Sequence, residues 1–130
     1  MPKPKYNNLR RIYYTQILNN NCVCILSGLK IGNKKDLSLE HYVPCVRGEY
    51  YFTRSEDNVY PAFKIINSIK GGLLPCEWEE QKYERLLYAL EHYNINKHEK
   101  NIIRKAIANI PYYKINPCEY CINNSKCKTK

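Results

Sequence analysis

Apolar residues recur at helical spacing in several stretches of the chain. Over 7–20 they fall at Leu9, Ile12, Tyr13 and Ile17, with Arg10 and Arg11 beside them. Over 77–93 they fall at Tyr83, Leu86, Leu87 and Leu90, and over 98–109 at Ile102, Ile103, Ala106 and Ile107, stopping before Pro111. A shorter stretch, 61–70, opens on Pro61 and closes on Gly71-Gly72, the residues that suit a helix's first turn and its end. Its stripe is Ala62, Ile65, Ile66 and Ile69, and Asn67 and Lys70 share a neighbouring face with Phe63. Two short β-prone runs precede it, "CVCILSG" (22–28), closed by Gly28, and "LSLEHYVP" (37–44). They predict an antiparallel hairpin, followed by a loop over 45–59. Trp78 reads as a core anchor, and His92 and His98 as structural or exposed. The class is α+β in a single domain, 1–130: a ββα core over 22–72, a helical part over 77–110 and a Cys-rich tail over 116–128.

The chemistry gathers in "LSLEHYVPCVRGEYYFTRSEDNVYPAFKIINSIKGG" (37–72). His41 has the side-chain type whose ordinary pKa, about 6.5, suits a general base at neutral pH. Glu40 and Asn67 offer the hard oxygens that Mg²⁺ takes, and Mg²⁺ keeps several waters and accepts phosphate oxygens. A base beside such a site is what phosphodiester hydrolysis requires.

These residues, in this order, resemble the HNH endonuclease motif: an acid-His pair followed by a hydrophobic residue and Pro, a central Asn, then a helix ending in Asn or His with Lys-Gly beyond. The resemblance covers residues 22–72 and implies a ββα-metal finger embedded among helices. It implies His41 as general base, Glu40 and Asn67 as ligands of a catalytic Mg²⁺ or Mn²⁺, and Asn58 as the brace of the loop. Lys70 would approach the phosphates, with Arg47 and Lys64 as further nucleic-acid contacts. The products would carry a 5′-phosphate and a 3′-hydroxyl. Many members of the family staple the finger with two CxxC pairs around zinc. In this chain those slots hold Cys24, Ser27, Phe63 and Ile66, and an apolar plug from Phe63 and Ile66 can stand where that metal would be.

Seven cysteines without an export signal favour metal ligation or burial over a disulfide framework. Cys118, Cys121 and Cys127 have the spacing of a structural Zn²⁺ site, with Cys22, Cys24, Cys45 or Cys76 as candidates for the fourth thiolate. Lys and Arg number 21 against 12 Asp and Glu, a net charge of +9 that draws a polyanion. The basic N-terminus lacks an apolar signal region and no run approaches the roughly 20 apolar residues of a membrane span, so the expected setting is cytoplasmic, without a membrane partner. The expectation is a DNA endonuclease of the restriction, phage or mobile-element type, able to act as a homodimer. Its alternatives are an inactive zinc-stabilised nucleic-acid-binding protein and a nuclease directed at RNA.

Overall fold

The computed structural model describes residues 6–42 and 58–115. Within them lie four α-helices and one two-stranded antiparallel sheet, an α+β arrangement. The helices are α1 (Tyr6–Leu18), α2 (Lys64–Lys70), α3 (Pro75–His92) and α4 (Lys97–Asn109), and the strands are β1 (Leu37–His41) and β2 (Val59–Phe63). No helix of the described residues is long and apolar enough to cross a membrane.

The hairpin differs from the one the sequence predicts. Residues 22–31 fold back on themselves, with Val23 bridged to Lys30, Cys24 N–H donating to Leu29 O at 2.8 Å and Ile31 N–H to Cys22 O at 2.8 Å. Gly28, at φ +77°, places the reversal inside the β-prone run, so that run cannot continue as a strand. β1 pairs instead with β2, in the register Leu37↔Phe63 through His41↔Val59. Pro61 therefore lies in a strand, and the helix starts at Lys64. The proline costs no ladder bond, because Pro61 O points away from β1 and accepts from Ile25 N–H at 2.9 Å.

Burial follows the predicted stripes with local exceptions. Leu9, Tyr13, Leu86, Ile102, Ile103 and Ala106 are buried, as are Ala62, Ile65, Ile66 and Ile69, whereas Ile12 and Tyr83 face solvent. α2 touches both strands, α3 and α4, and so sits at the centre of the packing. Each long C-terminal helix has a defined start. Glu77 accepts from Leu74 N–H at 2.8 Å ahead of Pro75, and Asn96 and Glu99 exchange backbone-to-side-chain bonds at 2.8 and 3.1 Å. The chain leaving α4 returns along α3, where Lys82 donates to Tyr113 O at 3.0 Å and Glu79 accepts from Ile115 N–H at 3.0 Å.

The reversal at 22–31 is fastened by side chains from distant segments. Tyr113 Oη donates to Ile25 O at 2.7 Å, Trp78 Nε1 to Leu26 O at 3.0 Å and Asn109 Nδ2 to Ser27 O at 2.8 Å. Burial pushes the Tyr113 hydroxyl up to about 12, with the charges of Cys24 and Glu79 adding to it. Gly28 lies under the same tyrosine, and a Cβ there would come 2.5 Å from its ring carbons. Gly28→Ala should therefore cost on the order of 2–4 kcal/mol in urea unfolding, from left-handed backbone and overpacking together. Gly32→Ala, which meets nothing within 4 Å, should stay within about 0.5 kcal/mol of the parent.

Candidate functional site

β1 and α2 build the site between them. Residues two apart on a strand share a face, so Ser38 and Glu40 project together while His41 projects from the other side. Residues three apart on a helix also share a face, which aligns Asn67 with Lys70. The two rows meet in step. Asn67 Nδ2 donates to Ser38 Oγ at 2.9 Å, and Lys70 Nζ lies 2.7 Å from Glu40 Oε2. Ser38 Oγ in turn donates to Ala62 O on β2 at 3.3 Å, tying helix and both strands at one point.

The Glu40–Lys70 pair is sealed from water, the two side chains being 4% and 0% exposed. Burial raises the Glu40 carboxyl above its ordinary range, and the neighbouring ammonium opposes that shift without reversing it. The sequence places Lys70 at phosphates; the structure places it in the interior, against the carboxylate expected to bind metal. Lys64, by contrast, is exposed on the first turn of α2.

His41 closes β1 and is partly exposed. Asn58 is buried at the start of β2, where its carbonyl accepts from Tyr42 N–H at 2.8 Å, one step beyond the His41↔Val59 pair. The acid-His pair and the central Asn are thus brought to one end of the hairpin. Tyr13 of α1 holds that end, donating from Oη to Val59 O at 3.0 Å. Burial raises the Tyr13 hydroxyl above its ordinary value, helped by Tyr60 and Cys22.

At the far end of the hairpin, Cys24 Sγ accepts from Phe63 N–H at 3.5 Å, and Phe63 and Ile66 are buried beside it. Burial raises the Cys24 thiol above its ordinary value, and its bonds with Ser27 and with the amides of Phe63 and Leu26 pull the other way. Cys22 and Cys24 are buried free thiols, while Cys76 is disulfide-bonded, which departs from the expectation of thiols without disulfides and removes Cys76 from the candidates for a fourth zinc thiolate. Cys118, Cys121, Cys127, Cys45 and Arg47 lie outside the described residues.

Glu40 and Asn67 are the oxygen-bearing residues expected at a hard cation, and the structure turns the Glu40 carboxylate onto a buried ammonium. Asn67 donates through its Nδ2, which leaves Oδ1 to accept, and Glu40 supplies a carboxylate about one strand step, roughly 7 Å, along β1 from Ser38. Among the described residues no group of three or more His, Cys, Asp or Glu side chains converges as a metal site.

Sequence reasoning missed Ser38, the joint between Asn67 and the sheet, and the partnership of Lys70 with Glu40. The alternation of β1 gave the signal for both, since it puts Ser38 and Glu40 on one face. No family model, no curated protein and no solved structure matches the chain.

Removing one member of the buried pair leaves the other charge unpaired. Lys70→Ala should destabilise by about 3–5 kcal/mol, and Glu40→Gln with Lys70→Met should recover much of that, read by urea unfolding. A loss in Lys70→Ala no larger than in the exposed Lys64→Ala would sink the pairing as a structural element.

Proposed function

We propose that the chain is a metal-dependent endonuclease of the HNH kind, hydrolysing phosphodiester bonds in DNA. The observation that carries this reading is the docking of α2 on the face of β1 that presents Glu40, with Asn67 one helical turn from Lys70, while His41 ends the same strand opposite the start of β2 at Asn58–Val59. The element order strand, strand, helix agrees with a ββα finger.

In this reading His41 accepts the proton of the attacking water. Asn58, buried just ahead of β2, fixes the backbone next to His41 through the Tyr42 N–H. Glu40 and the Asn67 Oδ1 would hold the divalent cation, which when bound neutralises charge on the phosphate and on the departing oxygen. Lys70 holds the Glu40 carboxylate in place instead of meeting substrate, so phosphate contacts fall to Lys64 and to the exposed Arg10 and Arg11. Contacts of this type give affinity that falls steeply with salt. Strand breakage would leave a 5′-phosphate and a 3′-hydroxyl, and a homodimer would cut both strands of a duplex.

One observation favours a second reading. The carboxylate that should attract the cation is already faced by a buried ammonium. A finger that binds nucleic acid without cleaving it would tolerate that arrangement. The tail cysteines as a structural Zn²⁺ site remain part of the proposal, and metal analysis of the reduced, purified protein tests them: about one zinc per chain supports the site, and none removes it.

Supercoiled-plasmid nicking with Mg²⁺ or Mn²⁺ separates the two readings, with a matched RNA substrate beside the plasmid. Cleavage should vanish in EDTA and fall by about 10²–10⁴-fold in His41→Ala with folding unchanged. Well-folded parent protein that binds plasmid in a salt-sensitive manner but never nicks it, across divalent metals, would establish the binding module. Cleavage of the RNA alone would redirect the substrate.

A further inference from the structure

A cavity of about 450 Å³ opens at the end of the hairpin opposite His41, among the 22–31 reversal, the turn before β1 and helix α4. Its apolar wall is Leu29, Phe63 and Ile102. Lys30 and Lys105 stand at it from two different segments, both exposed and free to reach toward a ligand. Asp36 and His98, which are 62 residues apart in sequence, also line it, with His98 Nε2 at 3.1 and 2.9 Å from the two carboxylate oxygens.

These features divide the cavity by chemistry. The Asp36 carboxylate is turned onto His98, which holds the imidazole by one nitrogen and leaves Nδ1 for another partner. Two ammonium groups against that single carboxylate leave an excess of positive charge. Asn33 accepts from Lys35 N–H through Oδ1 at 2.9 Å, which leaves its side-chain N–H₂ to donate. A volume in the range of small-molecule sites, one apolar wall, two directional polar groups and two cations call for a flat ring system joined to an anion.

We propose that this cavity binds a nucleoside monophosphate, free or as one unit of a nucleic-acid strand. The base lies against Leu29, Phe63 and Ile102, its edge meets Asn33 and His98, and the phosphate meets Lys30 and Lys105. The site is separate from the one assigned to hydrolysis and needs no divalent cation.

The test is equilibrium binding of the four 2′-deoxynucleoside 5′-monophosphates to full-length protein in EDTA, with inorganic phosphate, deoxynucleosides and a short single-stranded oligonucleotide as further probes. At least one mononucleotide should bind ten-fold or more tightly than phosphate or the matching nucleoside. Lys30→Gln with Lys105→Gln, both at exposed positions, should weaken it at least ten-fold. Gly32→Trp should block it from the rim, since Gly32 lines the cavity and open space surrounds its Cβ position. His41→Ala should bind as the parent does, so failure here and failure of the nuclease reading are told apart. Oligonucleotide binding lost in the same variants identifies a strand unit, and mononucleotide binding alone identifies a free ligand. Phosphate binding as tightly as every nucleotide, or variants indistinguishable from the parent, would overturn the proposal.

Discussion

A buried turn has to find partners for its backbone, and the 22–31 reversal finds them far away in sequence. Three consecutive carbonyls, of Ile25, Leu26 and Ser27, are taken by Tyr113, Trp78 and Asn109. An unpaired carbonyl in that position would cost about as much as a lost hydrogen bond, and three would exhaust much of a small domain's stability. The bonds therefore fix α3, the end of α4 and the segment after it on one side of the reversal. On its other side Ile25 N–H reaches Pro61 O, and Phe63 N–H reaches Cys24 Sγ. β2 is thereby held as if by a third strand, and β1 and α2 take their places from β2. The geometry around Glu40 and His41 depends on that chain of contacts.

The Glu40–Lys70 pair acts on the same frame from within. A buried ion pair seldom adds net stability over well-packed apolar groups, because both charges have left water. What it can add is registry. One step along β1 selects Ser38 or Glu40, and one turn of α2 selects Asn67 or Lys70, so the hydrogen bond and the ion pair are satisfied together in a single alignment. A slip of α2 along the strand would bury an unpaired ammonium. The Asn67 amide is thus held in position by a charge that stays in the interior.

Much of this was legible in the sequence. The stripes of α1, α3 and α4 follow the 3.6-residue period closely, whereas the Asn96–Glu99 and Pro75–Glu77 signals, which start the helices at Lys97 and Pro75, are missed by stretches begun at 98 and 77. The candidate residues Glu40, His41, Asn58 and Asn67 were legible as types in an order. Strand pairing was not, since "CVCILSG" has the composition of a strand and only the left-handed backbone at Gly28 turns it back. Pro61 was misplaced because its helix-opening preference competes with its tolerance at a strand position whose N–H would face away from the partner. Lys70 and Lys82 were illegible as interior residues. Lysine is almost never fully buried unless paired; Glu79 stands one helical turn from Lys82, but Glu40 at Lys70 and the Tyr113 carbonyl at Lys82 become neighbours only through folding.

β1 links the two places where chemistry is proposed. Asp36, at the cavity, immediately precedes the strand, and His41 ends it. Five extended steps along the chain separate them by about 17 Å, and a strand paired on one side and covered by a helix has little freedom to change that length. A flexible loop could bring a nucleotide pocket and a general base to any separation, but a strand offers one. If both sites serve a single nucleic-acid strand, that fixed spacing would set which phosphate lies at His41 once a nucleotide is seated at Lys30 and Lys105. The choice of bond would then follow from the length of β1, with no base read at the site of hydrolysis itself.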